Sequence, residues 1–348
     1  MNLPFEPPVS PMLAKAVQRI PSQPGWVYEP KWDGFRCIAY YDGEKVYLQS
    51  RDLKPLGRYF PEVESGLAVA LPGPAVLDGE LVIMGPHGLD FDGLLMRIHP
   101  AESRIRMLAA ETPASFVTFD LLAVGDRDLC EAPFSERRAE LETYAGQVAP
   151  PAFLSPSTDD EAVAHDWFER FEGAGLDGVI ARPAEAPYRP GDRAMGKIKH
   201  HRSADCVVGG FRWLKDHEGE AVGSLLLGLH DRKGVLHHVG HTSSFKAAEK
   251  RELATMLADY VTDEDTGFGS GRTPGAPNRW NQKRDTSWVR VRPELVCEVT
   301  YDQLQLNRFR NPAAFQRWRP DKPPEECVFA QLQVQPPMEL MEIFGVRR

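Results

Sequence analysis

The chain has 348 residues, and its 41 basic and 50 acidic side chains give a net charge of −9, which argues mildly against nucleic acid as a partner. This length favours two domains or one large one, and 42% apolar with 26% charged residues is ordinary globular usage, not that of a disordered chain. The sequence shows no apolar run approaching the roughly 20 residues of a membrane helix, no secretory signal and no CxxC pair, so we expect a reduced cytoplasmic protein without disulfides or zinc.

The first 200 residues are predicted to alternate strands with helices. The proline-rich segment Pro4–Pro24 is expected to be extended and irregular, and Asp42-Gly43 is a strong hairpin signal. Strands are predicted at Trp26–Glu29, Phe35–Tyr41, Lys45–Ser50, Ala75–Ile83, Ser115–Leu122, Gly178–Arg182 and Met195–His200. Helices are predicted at Ala101–Ala110, at Phe134–Tyr144 with Ser135 as N-cap, and at Asp159–Gly173.

The pattern changes after residue 202, where short strands dominate. They are predicted at Asp205–Trp213, Ser224–His230, Val235–His241 and Trp288–Tyr301. A single helix is expected at Ser244–Tyr260, and Thr262–Asn278 has the composition of a long loop. Short strands around one helix are typical of an OB-type barrel. We therefore predict two domains, residues 1–202 and residues 203–348.

Charge is distributed unevenly between these parts. Residues 1–202 contain 21 basic and 30 acidic residues, whereas residues 203–348 contain 20 of each. Within the second part, Arg272–Lys322 has 11 basic and 5 acidic residues and includes the aromatic residues Trp280, Trp288, Phe309, Phe315 and Trp318. Basic residues interleaved with aromatic ones suit a phosphate backbone and exposed bases. A solvated face above core aromatic residues is the alternative.

The most distinctive segment is Glu29-Pro30-Lys31-Trp32-Asp33-Gly34-Phe35-Arg36. Its lysine follows a predicted strand and precedes an Asp-Gly turn. Lysine is a nucleophile only when its amine is neutral, and burial or nearby cations lower its pKa. Arg36 is one such cation, and Lys197 and Lys199 are two more, because alternate residues of a strand share a face. Such a cluster also suits a polyphosphate. An exposed turn lysine is the alternative reading.

The segment is one of seven blocks that follow each other along the chain. They are Lys31…Arg36, Ser50-Arg51-Asp52, Leu77-Asp78-Gly79-Glu80, Phe119-Asp120-Leu121-Leu122, Leu176-Asp177-Gly178-Val179-Ile180, Lys197-Ile198-Lys199 and Arg317-Trp318-Arg319-Pro320-Asp321-Lys322. Their order resembles the covalent nucleotidyltransferases, and most of all the ATP-dependent DNA ligases of the compact bacterial kind, which include C-type ligases and end-joining ligase modules. Pro11-Met12-Leu13-Ala14 and Ala186-Pro187-Tyr188-Arg189-Pro190-Gly191 add to the resemblance, which covers nearly the whole chain.

The resemblance implies an α+β fold, with a nucleotidyltransferase (adenylation) domain of antiparallel sheets and helices followed by an OB-fold β-barrel domain. It implies that Lys31 attacks the α-phosphate of ATP and carries AMP, while Lys197 and Lys199 hold that phosphate. The nucleotide-binding residues that it implies are Glu29 at adenine, Phe119 stacked on the purine, Glu80 at the ribose, and Arg36, Arg51 and Asp177. From the barrel domain, it implies that Arg317, Arg319, Asp321 and Lys322 orient the leaving pyrophosphate.

The implied cofactors are ATP and Mg²⁺ or Mn²⁺, with Asp177 and Glu80 as metal ligands. The family usually has glutamate at the position of Asp177, so that the shorter side chain must sit closer to the metal or bind it through water. Nicked double-stranded DNA is the implied substrate, and a repair polymerase or end-joining protein is a possible partner of a chain expected to be monomeric. The N-terminal segment is too short for a DNA-clamping domain.

Two other functions remain open at this point. An RNA ligase or a capping-type nucleotidyltransferase shares the lysine chemistry, although Arg317–Lys322 at the end of a barrel favours a DNA ligase. A DNA-end-binding module without catalytic activity is the second alternative. The intact set of Lys31, Lys197 and Lys199 argues against it.

Overall fold

The computed structural model describes residues 3–85, 88–171, 175–200, 202–264, 268, 287–302, 304–305 and 307–332. This part of the chain divides into two compact units, residues 3–200 and residues 202–332. None of the described helices is long and apolar enough to cross a membrane.

The first unit combines two sheets with helices. Its strands are β1 (Ala14–Ala16), β2 (Trp26–Pro30), β3 (Phe35–Tyr41), β4 (Val46–Ser50), β5 (Ala75–Gly85), β6 (Gly88–Leu89), β7 (Ala114–Val124), β8 (Arg127–Asp128), β9 (Ala152–Leu154), β10 (Val179–Pro183) and β11 (Met195–Ile198). Its helices are α1 (Pro61–Ala70), α2 (Phe91–Arg97), α3 (Glu102–Glu111), α4 (Phe134–Ala145) and α5 (Glu161–Arg170).

Sheet topology determines which of these residues can meet. The larger sheet has the order β4-β3-β5-β7-β8, with β6 and β9 added to β5 and β7, and the smaller one has the order β1-β11-β10-β2. Strands β2 and β3 belong to different sheets, so residues 31–34 form the connection between the two sheets. Apolar side chains between the larger sheet and helices such as α1 and α4 form its main core.

The second unit is a closed barrel. Its elements are β12 (Arg202–Trp213), β13 (Val222–His230), β14 (Leu236–Thr242), α6 (Ala247–Ala258), β15 (Val289–Arg290), β16 (Val296–Tyr301), β17 (Leu304–Gln305), β18 (Arg308–Phe309) and β19 (Ala314–Trp318). The main sheet has the order β14-β13-β12-β16-β19. A parallel bridge between Thr242 and Ala313 joins its two edges. Five strands with this closure, and one helix between the third and fourth of them, form an OB-type barrel.

Several local predictions differ from the structure. Ser135 is not the N-cap of α4: Pro133 precedes the helix, and the Ser135 N–H is held by the carbonyl of Ala184. Helix α5 begins at Glu161 because the side chain of Asp160 accepts the N–H of Ala162.

Other differences concern whole elements. The predicted strand Trp288–Tyr301 is two strands, β15 and β16, because a turn around Pro293 separates them. Helices α1 and α2 were not predicted, and neither were strands β1, β6, β8, β9, β17, β18 and β19. Strand β12 begins at Arg202, one residue before the predicted second domain. Gly173, Trp280 and most of the loop predicted at Thr262–Asn278 lie outside the described residues.

Candidate active site

Lys31 lies where the two sheets of the first unit are joined. Its backbone N–H donates to the carbonyl of Gly178 at 2.8 Å, and the N–H of Asp177 donates to the carbonyl of Lys31 at 2.9 Å. Gly178 has φ +120°, and a Cβ at this position would overlap the carbonyl oxygen of Ile198. The fold therefore brings three predicted blocks, residues 29–36, 176–180 and 197–199, into direct contact.

The side chains of these blocks form a cluster of charges. Lys31 Nζ and Lys199 Nζ each lie 2.6 Å from the same oxygen, Oδ2 of Asp177, which is buried. Burial lowers the pKa of Lys197, and the charges of Lys199, Lys31 and Arg193 lower it further. Two lysines thus share one carboxylate, with the charge of Lys197 nearby, and the excess positive charge suits a phosphate group.

A cavity of about 190 Å³ opens beside Lys31. Apolar walls come from Trp32, Phe119 and Met195, among others. Its charged lining residues are Glu29, Lys31, Arg36, Arg51, Glu80, Arg182, Arg193 and Lys197. Six basic and two acidic residues thus line the cavity together with an aromatic side chain. This lining is chemically complementary to a nucleotide, which has an aromatic base and negatively charged phosphates.

Glu29 supplies a buried hydrogen-bond acceptor to this cavity. Its Oε2 is 2.7 Å from Arg182 Nε, whereas Oε1 has no hydrogen-bond partner among the described residues and lies 3.7 Å from Arg138 Nη1. Burial raises the pKa of Glu29, while Arg182 and Arg138 oppose the rise. Glu29 thus lines the cavity and has a buried oxygen without a described hydrogen-bond partner.

Phe119 supplies the aromatic wall. The guanidinium carbons of Arg36 and Arg182 lie 4.5 and 5.0 Å from its ring centroid, within the range of cation–π contacts. Phe119 is buried, as a core residue would be, yet it also lines the cavity. It is thus both a core residue and part of the cavity wall.

Arg36 forms an ion pair that the sequence did not predict. Its Nε and Nη2 donate to the two oxygens of buried Asp78, each at 2.6 Å, and Tyr188 Oη donates to Asp78 at 2.7 Å. The charge of Arg36 is thus paired with a buried carboxylate, whereas Lys199 shares the Asp177 carboxylate with Lys31. Burial raises the pKa of Glu80, on the strand opposite Arg36, to about 7, although Arg36 and Lys31 oppose the rise.

Comparisons with known proteins identify the family of this chain. Residues 11–199 match the ATP dependent DNA ligase domain, and residues 218–322 match the ATP dependent DNA ligase C terminal region. The chain belongs to the ATP-dependent DNA ligases.

Individual relatives place it among the compact bacterial members of this family. The chain is 51% identical to DNA ligase C of Mycobacterium tuberculosis over 346 residues, 96% of each protein. It is 49% identical to DNA ligase C2 of Mycolicibacterium smegmatis over 347 residues, 97% of each. A solved structure of a Lig E DNA ligase is 18% identical in sequence to this chain. The match spans 89% of this chain and 100% of the other with a TM-score of 0.56, which supports the fold.

The net charge of −9 was therefore a poor guide to the substrate of this ligase. Phosphate contacts depend on the charge of the local surface, and a chain of acidic composition can still present basic patches. The first unit illustrates this, because an overall acidic part of the chain forms a cavity whose charged lining residues are mainly basic.

The described residues contain no group of three or more histidine, cysteine, aspartate or glutamate side chains arranged to hold a metal ion. Asp177 is paired with two lysines, and Glu80 lies near Lys31. Mg²⁺ is commonly held by one or two carboxylates together with substrate phosphates. Asp177 and Glu80 offer the oxygen ligands that Mg²⁺ prefers, and among the described residues they do not form part of a complete protein cage.

Sequence reasoning missed the side chains that support the cavity. Arg182 contacts Glu29, the Phe119 ring and Asp120, whose Oδ2 lies 2.8 Å from Arg182 Nη1. Arg137 in turn holds Asp120 at 2.8 Å. Side chains alternate between the two faces of strand β10, so Arg182 lies on the same face as Ile180. This alternation is visible in the sequence and could have identified Arg182.

The four predicted residues of the second unit lie on β19 and in the turn that follows. Each of them forms an ion pair within the barrel. The pairs are Arg317–Glu298 at 2.7 Å, Arg319–Asp205 at 2.9 Å, Arg319–Asp321 at 2.8 Å and Lys322–Glu326 at 2.8 Å. The basic stretch that begins at Arg272 is described only from residue 287 onward.

Proposed function

We propose that this DNA ligase uses ATP to seal nicks between a 5′-phosphate and a 3′-hydroxyl, through a lysyl-AMP intermediate on Lys31, in DNA repair. The observation that carries the proposal is the position of Lys31. Its amine shares the carboxylate of Asp177 with Lys199 and borders a cavity whose lining combines an aromatic wall with basic residues. Family membership supports the same reaction class, DNA ligase (ATP).

The first step is a phosphoryl-type transfer to nitrogen. The neutral amine of Lys31 attacks the α-phosphorus of ATP, a P–N bond forms, the bond to the β-phosphate oxygen breaks, and pyrophosphate and a proton leave. Lys197 and Lys199 stabilise the charge on the α-phosphate, because positioning and charge neutralisation supply most of the catalysis in such transfers. AMP then passes to the 5′-phosphate of the nick, and the 3′-hydroxyl displaces it.

We propose further roles for residues that line the cavity and for residues of the barrel. Glu29 accepts an N–H of adenine, Phe119 contacts the purine face and Glu80 holds the ribose. Arg36 and Arg51 contact the nucleotide and later the 5′-phosphate of the nick. In the barrel, the residues that orient pyrophosphate are Arg317, Arg319, Asp321 and Lys322.

Asp177 and Glu80 are the side chains that would hold Mg²⁺ or Mn²⁺, which supplies charge neutralisation at the phosphates. Residues 1–202 would then be the adenylation domain and residues 203–348 the OB-fold domain. We also propose a cytoplasmic monomer that acts on nicked double-stranded DNA, with a repair polymerase or end-joining protein as a possible partner.

Radioactive ATP labelled at the α-phosphate tests the nucleophile. Lys31→Ala should take up no label and seal no nick, yet it should retain part of the sealing of a pre-adenylated nick, since that step needs no enzyme-bound AMP. Lys45→Ala, which changes an exposed lysine near the hairpin turn of the same unit, is the matched control and should behave as the unchanged enzyme. Label uptake by Lys31→Ala would refute the assignment.

The alternative functions need separate assays. Labelling with GTP in place of ATP tests a capping-type reaction, and a panel of nicked DNA and RNA duplexes tests RNA joining. A mass increase of one AMP on the purified protein, lost in Lys31→Ala, would exclude a binding module without catalytic activity.

A further inference from the structure

Two acidic residues lie directly opposite each other on neighbouring strands of the barrel, an arrangement that is unfavourable by itself. Asp205 on β12 is the register partner of Glu298 on β16, and Glu298 is in turn the partner of Arg317 on β19. Like charges directly opposite each other in a sheet are destabilising. This pair therefore requires cations, and Arg317 and Arg319 provide them.

Asp205 holds the guanidinium of Arg319 from a fixed position. Arg319 Nη1 lies 2.9 and 3.0 Å from the two carboxylate oxygens of Asp205. The side-chain amide of Gln331 pairs with both backbone groups of Asp205, accepting its N–H at 2.8 Å and donating to its carbonyl at 2.9 Å. Asp205 is thus anchored to the barrel at its backbone and to Arg319 at its side chain.

Two other acids lie near Arg319. Glu298 is more distant, at 4.0 Å from Nη1, and Asp321 lacks such an anchor. Asp321 accepts from Nε and Nη2 of Arg319, but it lies only two residues away in the same turn, and its side chain is 63% exposed. It moves with Arg319 and cannot fix the arginine relative to the barrel. Asp205 can fix the arginine relative to the barrel, because its strand, β12, pairs with both β13 and β16.

We propose that Asp205 is a positioning residue that holds Arg319 in the orientation needed to act on pyrophosphate. The proposal rests on the proposed function of Arg319 in the ATP step. A long side chain loses rotamer freedom when it binds a ligand, and the planar fork of arginine gains most from being oriented beforehand. Asp205 therefore matters only in the step that releases or uses pyrophosphate.

Asp205→Asn keeps the shape of the side chain and removes its charge. We expect its rate of self-adenylation with ATP to fall about tenfold, which corresponds to about 1.4 kcal/mol, and sealing of a pre-adenylated nick to stay within about twofold of the unchanged enzyme. The reverse reaction, in which added pyrophosphate releases ATP from the AMP-enzyme, should slow by a similar factor. The control is Glu294→Gln, which removes a different acid–arginine pair of the barrel, with Arg292.

A double-mutant cycle separates this proposal from the proposed function. If Arg319→Ala alone leaves the ATP step unchanged, the role of the barrel residues fails whatever Asp205 does. If Arg319→Ala slows the ATP step, Asp205→Asn should add little to that loss in the double variant. Full activity of Asp205→Asn, or additive losses, would overturn the positioning role.

A second variant covers the case in which Asp205→Asn does not fold. Gln331→Ala leaves the Asp205 carboxylate in place and removes its backbone anchor. It should slow the ATP step by a smaller factor, about threefold, again with sealing of the pre-adenylated nick retained. Equal loss in both assays would mean that this network only stabilises the barrel, and the proposal would be wrong.

Discussion

Gly178→Ala tests whether close backbone contact at Lys31 builds the site. Gly178 has φ +120°, and an added Cβ would overlap the carbonyl oxygen of Ile198 and lie 3.1 Å from Lys199 Cα. Backbone strain costs about 1–3 kcal/mol, and overpacking costs about 1–3 kcal/mol more. We expect the free energy of unfolding to fall by about 2–6 kcal/mol in total.

The same overlap should disturb the chemistry. Either Gly178 or the end of β11 must move, and each carries part of the arrangement around Lys31. The carbonyl of Gly178 accepts the Lys31 N–H, while Lys199 shares the carboxylate of Asp177. Self-adenylation should therefore fall at temperatures at which the variant is still folded.

Thermal unfolding and labelling with ATP measure the two effects. A loss of 2–6 kcal/mol should lower the midpoint by roughly 5–20 °C in a unit of this size. Gly125→Ala is the matched control, because Gly125 also has a positive φ, +57°, but no atom of the described residues beyond its chain neighbours lies within 4 Å of an added Cβ. It should cost only about 1–2 kcal/mol and leave labelling unchanged. If the two variants behave alike, backbone strain and not close contact explains Gly178, and our reasoning about the site is wrong.

Three further predictions concern adenine, the support of Arg36 and DNA binding. Glu29→Gln should lower the preference for ATP over GTP in self-adenylation at least tenfold, because an amide can donate to a guanine carbonyl where the carboxylate cannot; an unchanged preference would argue against contact with the base. Tyr188→Phe should lower the free energy of unfolding in urea by about 1–3 kcal/mol, since its hydroxyl donates to Asp78 and accepts the Met12 N–H, and an unchanged stability would contradict this. The affinity for nicked duplex should fall with a log–log salt slope near −4 to −5 if about five phosphates are contacted, while self-adenylation depends on salt much less; a flat binding curve would mean that the basic stretch is only a solvated face.

Local sequence signals determined most of the elements. The Asp42-Gly43 turn and the β-rich runs beside it predicted the hairpin of β3 and β4, with β3 matching at both ends. The change to short strands near residue 202 predicted the barrel. These signals succeed because hairpins and strand periodicity depend on neighbours along the chain. Helix caps were predicted less accurately. Ser135 is an example, because tertiary contacts decided which residue begins the helix.

The sequence also contained the blocks from which the site is made, including Lys31 and Lys197, and their order was enough to indicate the family. Only the tertiary structure decided which charges are paired. Arg36 is neutralised by Asp78, and Asp177 is shared by two lysines. These partners lie about 20 to 150 residues apart along the chain, so no local pattern relates them. The pairing of β3 with β5, and of residue 31 with residues 177 and 178, brings them together.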